Sequence, residues 1–168
     1  MRLIRSFLSA LPLALASLAA SGQSMPAPVP GPSSAEYVEV GDYLTRDADI
    51  ETWYTALHQL DADFDDVCGD TFCEGDYSNI QSLRFLCSVE KHSGVIGQCV
   101  WVFAASNEEI GPSDGRVMVD AHHWRCRIPL ARPTRVADLL AALAGPQPIH
   151  ATLPGTATSI YDGLVDCL

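Results

Sequence analysis

The pattern of apolar residues predicts an α+β domain. A long N-terminal helix packs on a small antiparallel sheet, a meander of at least three strands, and two short C-terminal helices follow, the whole stapled by disulfides. Three observations carry this expectation. Apolar residues recur every three or four positions at Ile50, Trp53, Leu57, Leu60, Phe64 and Val67, which places them on one face of a helix. Two alternating runs around Phe85 and Trp101 are joined by a turn at His92, Ser93 and Gly94, as adjacent antiparallel strands require. Six cysteines, Cys68, Cys73, Cys87, Cys99, Cys126 and Cys167, follow a leader-like N-terminus, and exported thiols oxidise by default.

Taken in order, residues 1–22, MRLIRSFLSALPLALASLAASG, have the basic start, short apolar run and small-residue exit of a secretory signal peptide. The apolar run is short for a membrane span, and no later stretch of ~18 unbroken apolar residues follows it. The mature chain is therefore expected not to insert into a membrane. Residues 23–34 carry prolines at 26, 28, 30 and 32 and read as a semi-rigid linker. Residues 35–168 have the size of a single disulfide-stabilised α+β domain.

Within that domain the long helix begins near Ile50, with Asp47 and Asp49 complementing the positive end of its dipole. In the first strand Leu83, Phe85, Cys87 and Val89 share the inner face, alternating with Ser82, Arg84, Leu86 and Ser88. The second strand places Cys99, Trp101 and Phe103 on one face and Val100, Val102 and Ala104 on the other, so it reads as central and covered on both sides. A third strand lies in RVMVDAHHWRCRIPL, residues 116–130. There His122 shares parity with Trp124 and Cys126 and reads as a half-buried core residue, with His123 outward. Thr134 is placed to cap the helical segment RVADLLAALA, stopped by Gly145 and Pro146, and residues 159–167 read as the last helix.

Six cysteines allow 15 pairings, and sequence does not choose among them. The short span with Gly69 at its turn favours Cys68 with Cys73; Cys87 and Cys99 approach each other in one strand register, and Cys167 is placed to staple the last helix.

Charge narrows the function. Loss of residues 1–22 removes Arg2 and Arg5 and no acid, so the formal charge moves from -11 to -13. Phosphate neutralisation needs Lys and Arg, so nucleic acid is excluded as a partner, as is an anionic lipid surface. A cationic protein of the cell envelope or exterior is the complementary case. Arginine far outnumbers lysine and no Asn-x-Ser/Thr site occurs, which suits a bacterium with a GC-rich genome and a periplasmic or extracellular destination.

The most unusual stretch is DADFDDVCGDTFCEGDYSN, residues 61–79, with seven acids and no Lys or Arg. Acids at the C-terminal end of a helix oppose its dipole, so the helix that the apolar stripe carries to Val67 either holds them against that cost, with a cation to offset it, or ends near Leu60. In the second case the acids lie in a solvated loop pinned by Cys68 and Cys73. As a recognition surface the loop comprises Asp61, Asp63, Asp65, Asp66, Asp70, Glu74 and Asp76. It suits an exported acidic protein-binding module, of the inhibitor or immunity kind, acting on a cationic envelope enzyme or toxin.

The alternative is a calcium-stabilised module. DADFDD resembles the start of an EF-hand loop, but Asp66 stands where the turn needs glycine and Phe72 where a bidentate glutamate belongs. A non-standard calcium site would draw on Asp61, Asp65, Asp70, Glu74 and Asp76. A purely structural reading pairs the acids with Arg116, Arg125, Arg127, Arg132 and Arg135 of the same molecule. A secreted enzyme is the last alternative. Its candidate residues Ser113, Asp114, His58 and His150 form no recognisable motif, so no catalytic residue is assigned.

Overall fold

A computed structural model describes residues 35–168. The expected leader at 1–22 and linker at 23–34 lie outside the described residues. The domain runs β1 (Tyr37–Glu39), α1 (Val40–Tyr43), α2 (Asp47–Val67), a π-helical turn (Cys68–Phe72), β2 (Gln81–Glu90), β3 (Ile96–Ile110), β4 (Val117–Arg127), α3 (Val136–Leu143), a 3-10 turn (Pro148–His150) and α4 (Ile160–Val165). The four strands form one antiparallel sheet in chain order. The α+β class, the long helix, the meander and the short C-terminal helices are as the apolar pattern predicts. β1, too short to show a period, is the additional strand.

One face of α2 turns Trp53, Ala56, Leu60 and Phe64 into the core, the three-and-four spacing that a buried helical stripe requires. These meet the inner face of the sheet. Phe64 lies 4.6 Å from Phe103 and 5.7 Å from Trp101 between ring centroids, and Trp53 lies 6.0 Å from Phe85. Such tilted aromatic pairs contribute about 0.5–1.5 kcal/mol each beyond their buried area. α3 closes the core with Val136, Leu139, Leu140 and Leu143, and α4 adds Ile160 and Leu164. α4 starts on a capping box in which Ser159 and Asp162 exchange hydrogen bonds with each other's backbone.

Several sequence expectations are corrected. The first helix does not stop at Leu60 but continues through the acids to Val67 and on through the π-helical turn, where the Cys73 N–H donates to Cys68 O. Burial of Phe64, stacked on Phe72 at 6.1 Å, holds those turns against the unfavourable charge, because packing dominates helix stability in a folded domain. Leu83 is 60% exposed because the β2–β3 register shifts between Ser82 and Arg84, and a bulge turns the extra residue off the inner face. The Val100, Val102 and Ala104 face of β3 is only half-buried, since every packed helix lies on the other side of the sheet. His122 is exposed, resting on Trp124 and Tyr77 at the rim of the sheet. Thr134 is buried but caps nothing; its hydroxyl donates to Ala131 O.

The disulfides join Cys68 with Cys73, Cys87 with Cys99 and Cys126 with Cys167. Among the described residues no helix is long and apolar enough to cross a membrane.

Two measurements follow from this frame. The Cys126 to Cys167 bridge closes 41 residues against 5 for Cys68 to Cys73. By loop-closure entropy, replacing the long pair with alanines costs about 4 kcal/mol and the short pair about 2 kcal/mol, checked by denaturant unfolding of the two double variants. Glu90 is held from its ordinary 4.5 down to about 2 by hydrogen bonds from Ser93 and, secondarily, His92, which fasten the turn between β2 and β3. A lowered carboxylate stabilises the fold above pH 4.5 and loses that contribution as pH falls toward 2. The melting temperature of Glu90→Gln should therefore lie below that of the wild type at neutral pH and converge with it near pH 2.

Candidate functional site

The carboxylates of residues 61–76 occupy the last turns of α2, the π-helical turn and the segment leading to β2. Asp61 lies on the exposed face, and its Oδ1 accepts from Ser82 Oγ at 2.6 Å, while Ser82 Oγ accepts from the Nε1–H of buried Trp101 at 2.8 Å. The carboxylate thus completes the hydrogen bonding of a core indole. Asp63 faces the opposite way and is 6% exposed. It accepts from Gln59 Nε2 at 2.9 Å and from the Ile149 N–H at 3.1 Å, tying the 3-10 turn to α2. A buried carboxylate so bonded is a structural joint, and Asp63 is removed from the surface that the sequence placed it on.

Asp65, Asp66, Asp70, Glu74 and Asp76 are all exposed. Among the described residues the ion pairs are Arg46 with Asp49, Arg84 with Glu39, Lys91 with Glu36 and His92 with Glu90. None involves these five acids. The expectation that Arg116, Arg125, Arg127, Arg132 and Arg135 neutralise them internally is overturned. Arg132 donates to Gly97 O and Arg135 to Ser93 O. Arg125 and Arg127 stand opposite Val102 and Val100 on the open face of the sheet, the far side from α2. The acids of residues 65–76 therefore lie on the helical layer, with Arg125 and Arg127 on the bare sheet face.

The acids do not gather around a point either. Among the described residues no three His, Cys, Asp or Glu side chains converge to hold a metal ion. A calcium site needs six or more oxygens around one centre, and Asp61 and Asp65 sit on successive turns of a rigid helix. The catalytic alternative also finds no assembly. Ser113 and Asp114 lie in the turn between β3 and β4, His58 on the exposed face of α2, and His150 against Tyr161 at 4.9 Å between ring centroids. No hydrogen bond joins any two of them.

Next to the acids the structure adds apolar anchors. The bulge that expels Leu83 sets it beside Tyr54, and both are more than half exposed. With Leu57, Asp61, Glu39 and Arg84 they line a shallow groove of about 240 Å³. Tyr54, Asp61 and Asp65 follow one line along α2, so an aromatic face and carboxylates are presented together. Sequence reasoning missed Tyr54 and Leu83; the helical spacing of Tyr54 relative to the buried stripe was the readable signal, whereas the bulge leaves none. A larger cleft of about 520 Å³ between α2 and α3 contains Arg46 and Arg135. Arg46 is ion-paired with Asp49, and Arg135 donates to the neutral Ser93 O, so one cation, Arg135, stands in this cleft without a carboxylate partner among the described residues.

No protein-family model, curated protein or solved structure matches the chain.

The unpaired acids carry a stability cost. Asp65 and Asp66 lie in the last turns of α2 with no basic residue in its final turn, and each negative charge there is unfavourable by about 0.3–1 kcal/mol. Asp65→Asn and Asp66→Asn should each raise stability by that amount, measured as a higher denaturant midpoint with an unchanged slope.

Proposed function

We propose that this protein is an exported module that binds a cationic protein of the cell envelope or exterior. The contact is the exposed face of α2 and the segment after it, Asp61, Asp65, Asp66, Asp70, Glu74 and Asp76, extended by the Tyr54 and Leu83 groove. The observation that carries the reading is that five of these carboxylates have no cationic partner among the described residues, although eight Lys and Arg residues occur between positions 35 and 168. An uncompensated field of this kind accelerates encounter with a basic protein and rejects acidic ones. The groove supplies what charge alone lacks. Tyrosine is enriched where binding energy concentrates, and the Tyr54 ring offers a face on which a lysine or arginine can rest beside a carboxylate. The three disulfides suit an oxidising compartment, and blocking a basic wall-degrading enzyme or toxin there is the use this surface fits best.

The test is capture of basic proteins from the envelope fraction of the producing cell, followed by binding kinetics with the purified partner. Asp65→Lys/Asp70→Lys/Glu74→Lys should fold as well as the wild type and weaken binding about 100-fold, chiefly through a slower association rate. Tyr54→Ala should act mainly on dissociation. A partner bound equally well by the triple variant, or with an affinity indifferent to salt, would refute the assignment of this surface.

A further inference from the structure

We propose that the free edge of β4 is the interface of a symmetric dimer, in which residues 117–125 of two copies pair antiparallel about a two-fold axis at Ala121. β2 ends opposite Ala104 of β3, so β3 and β4 continue beyond the sheet as a two-stranded arm whose pairs run from Ala105 with His122 to Ile110 with Val117. The arm carries Ile110, Val117, Met118 and Val119, each more than half exposed. A long exposed apolar edge of this kind is a template for another strand.

The direction of the backbone groups fixes what can pair. At one end of the ladder the Gly111 N–H donates to Arg116 O, and at the other the Ile128 N–H donates to Cys99 O. Antiparallel alternation then turns even-numbered residues of β4 toward β3. Val117, Val119, Ala121, His123, Arg125 and Arg127 turn their N–H and C=O groups to the open edge. The usable edge is bounded on both sides. It begins after the turn that ends at Arg116. It ends at Arg127, whose carbonyl lies 3.6 Å from where a Cβ on Gly163 of α4 would stand. The open stretch is therefore 117–125, and its midpoint is Ala121.

The occupant is a second copy because that midpoint makes the strand self-complementary. Two such edges facing each other oppose Asp120 to His122 and Met118 to Trp124 on the inner face, each twice. On the outer face they oppose Val119 to His123 and Val117 to Arg125. Within one copy Asp120 Oδ2 already accepts from the Tyr77 O–H at 2.7 Å, and the Tyr77 ring lies 5.5 Å from both His122 and Trp124; Oδ1 is left for the imidazole of the second copy, and carboxylate with imidazole and thioether with indole are favourable cross-strand pairs. Shifting the centre to Asp120 sets like carboxylates against each other, and shifting it to His122 runs Arg127 into α4.

Sedimentation equilibrium of the oxidised protein over about 1–300 µM should show a monomer–dimer equilibrium. Ala121→Lys, which opposes two like charges at the axis, should shift it toward monomer at least tenfold, as should Ala121→Pro, whose lost N–H serves no bond within one copy. Unchanged circular dichroism and melting of diluted monomer would show that the fold is intact. Ala121→Cys should form an interchain disulfide under mild oxidation, and Val119→Cys, displaced from its own copy in this register, should not. A monomer at every concentration, a dimer indifferent to Ala121→Lys, or cross-linking of Val119→Cys as fast as Ala121→Cys would overturn the proposal. A monomer would leave the edge to a strand from a different protein.

Discussion

The burial of Phe64 is the constraint on which the rest of the domain depends. Its ring meets Trp101, Phe103 and Phe72, so it joins α2, the central strand and the π-helical turn at one point. Packing at that point keeps the chain helical where local charge argues for a loop. A benzyl side chain fully withdrawn from water contributes about 1.5–3 kcal/mol, which exceeds the dipole cost of one or two exposed carboxylates nearby. The acids are consequently held on a rigid helix and its disulfide-closed extension. Asp63, one residue from Phe64, is carried inward with it and becomes a joint to Ile149.

Where periodicity is strong and long, the fold was legible from the sequence. The stripe from Trp53 to Phe64, the alternation through Trp101 and the short last helix beginning at Ser159 each correspond to an observed element. The failures are local and share a cause, which is that tertiary contacts decide them. The bulge at Leu83 inverts a face without leaving a mark in composition, because period-2 reasoning assumes an unbroken register. His122 has inward parity, yet it lies where β2 has ended, so Tyr77 and Trp124 flank it without burying it. The end of α2 was left between Leu60 and Val67 because dipole and charge were weighed without the aromatic contact opposing them. For the surface, sequence located the acids, but it did not show that Asp63 points inward or that Arg125 and Arg127 stand on the other face.

That segregation is the physical basis of the functional reading. Exposed ion pairs contribute little to stability, about 0–1 kcal/mol, so a chain under selection for folding alone gains little by separating its signs and loses by massing one of them. Here the acids of residues 65–76 stand unneutralised near a helix C-terminus, while Arg125 and Arg127 occupy a bare sheet face. Departures from local consistency of this sort are expected where function competes with stability. The adjacent Tyr54 and Leu83 strengthen the reading, because they add apolar surface that the core does not use.

The proposed pairing through β4 and the acidic surface bear on each other through symmetry. In an antiparallel continuation of the sheet, inner faces meet inner faces, so the helical layers of both copies lie on the same side. The two acidic faces would then be displayed together. Their mutual repulsion is screened beyond about 8–10 Å at moderate salt, and the strands that touch, with Arg125 and one Asp120 each, are not the acidic part of the molecule. A partner with two basic patches, or two partners on one surface, would meet both faces at once, and its second contact would form at an effective concentration set by the dimer geometry. A module whose individual groove is shallow gains most from such an arrangement, since avidity supplies affinity that 240 Å³ of contact does not.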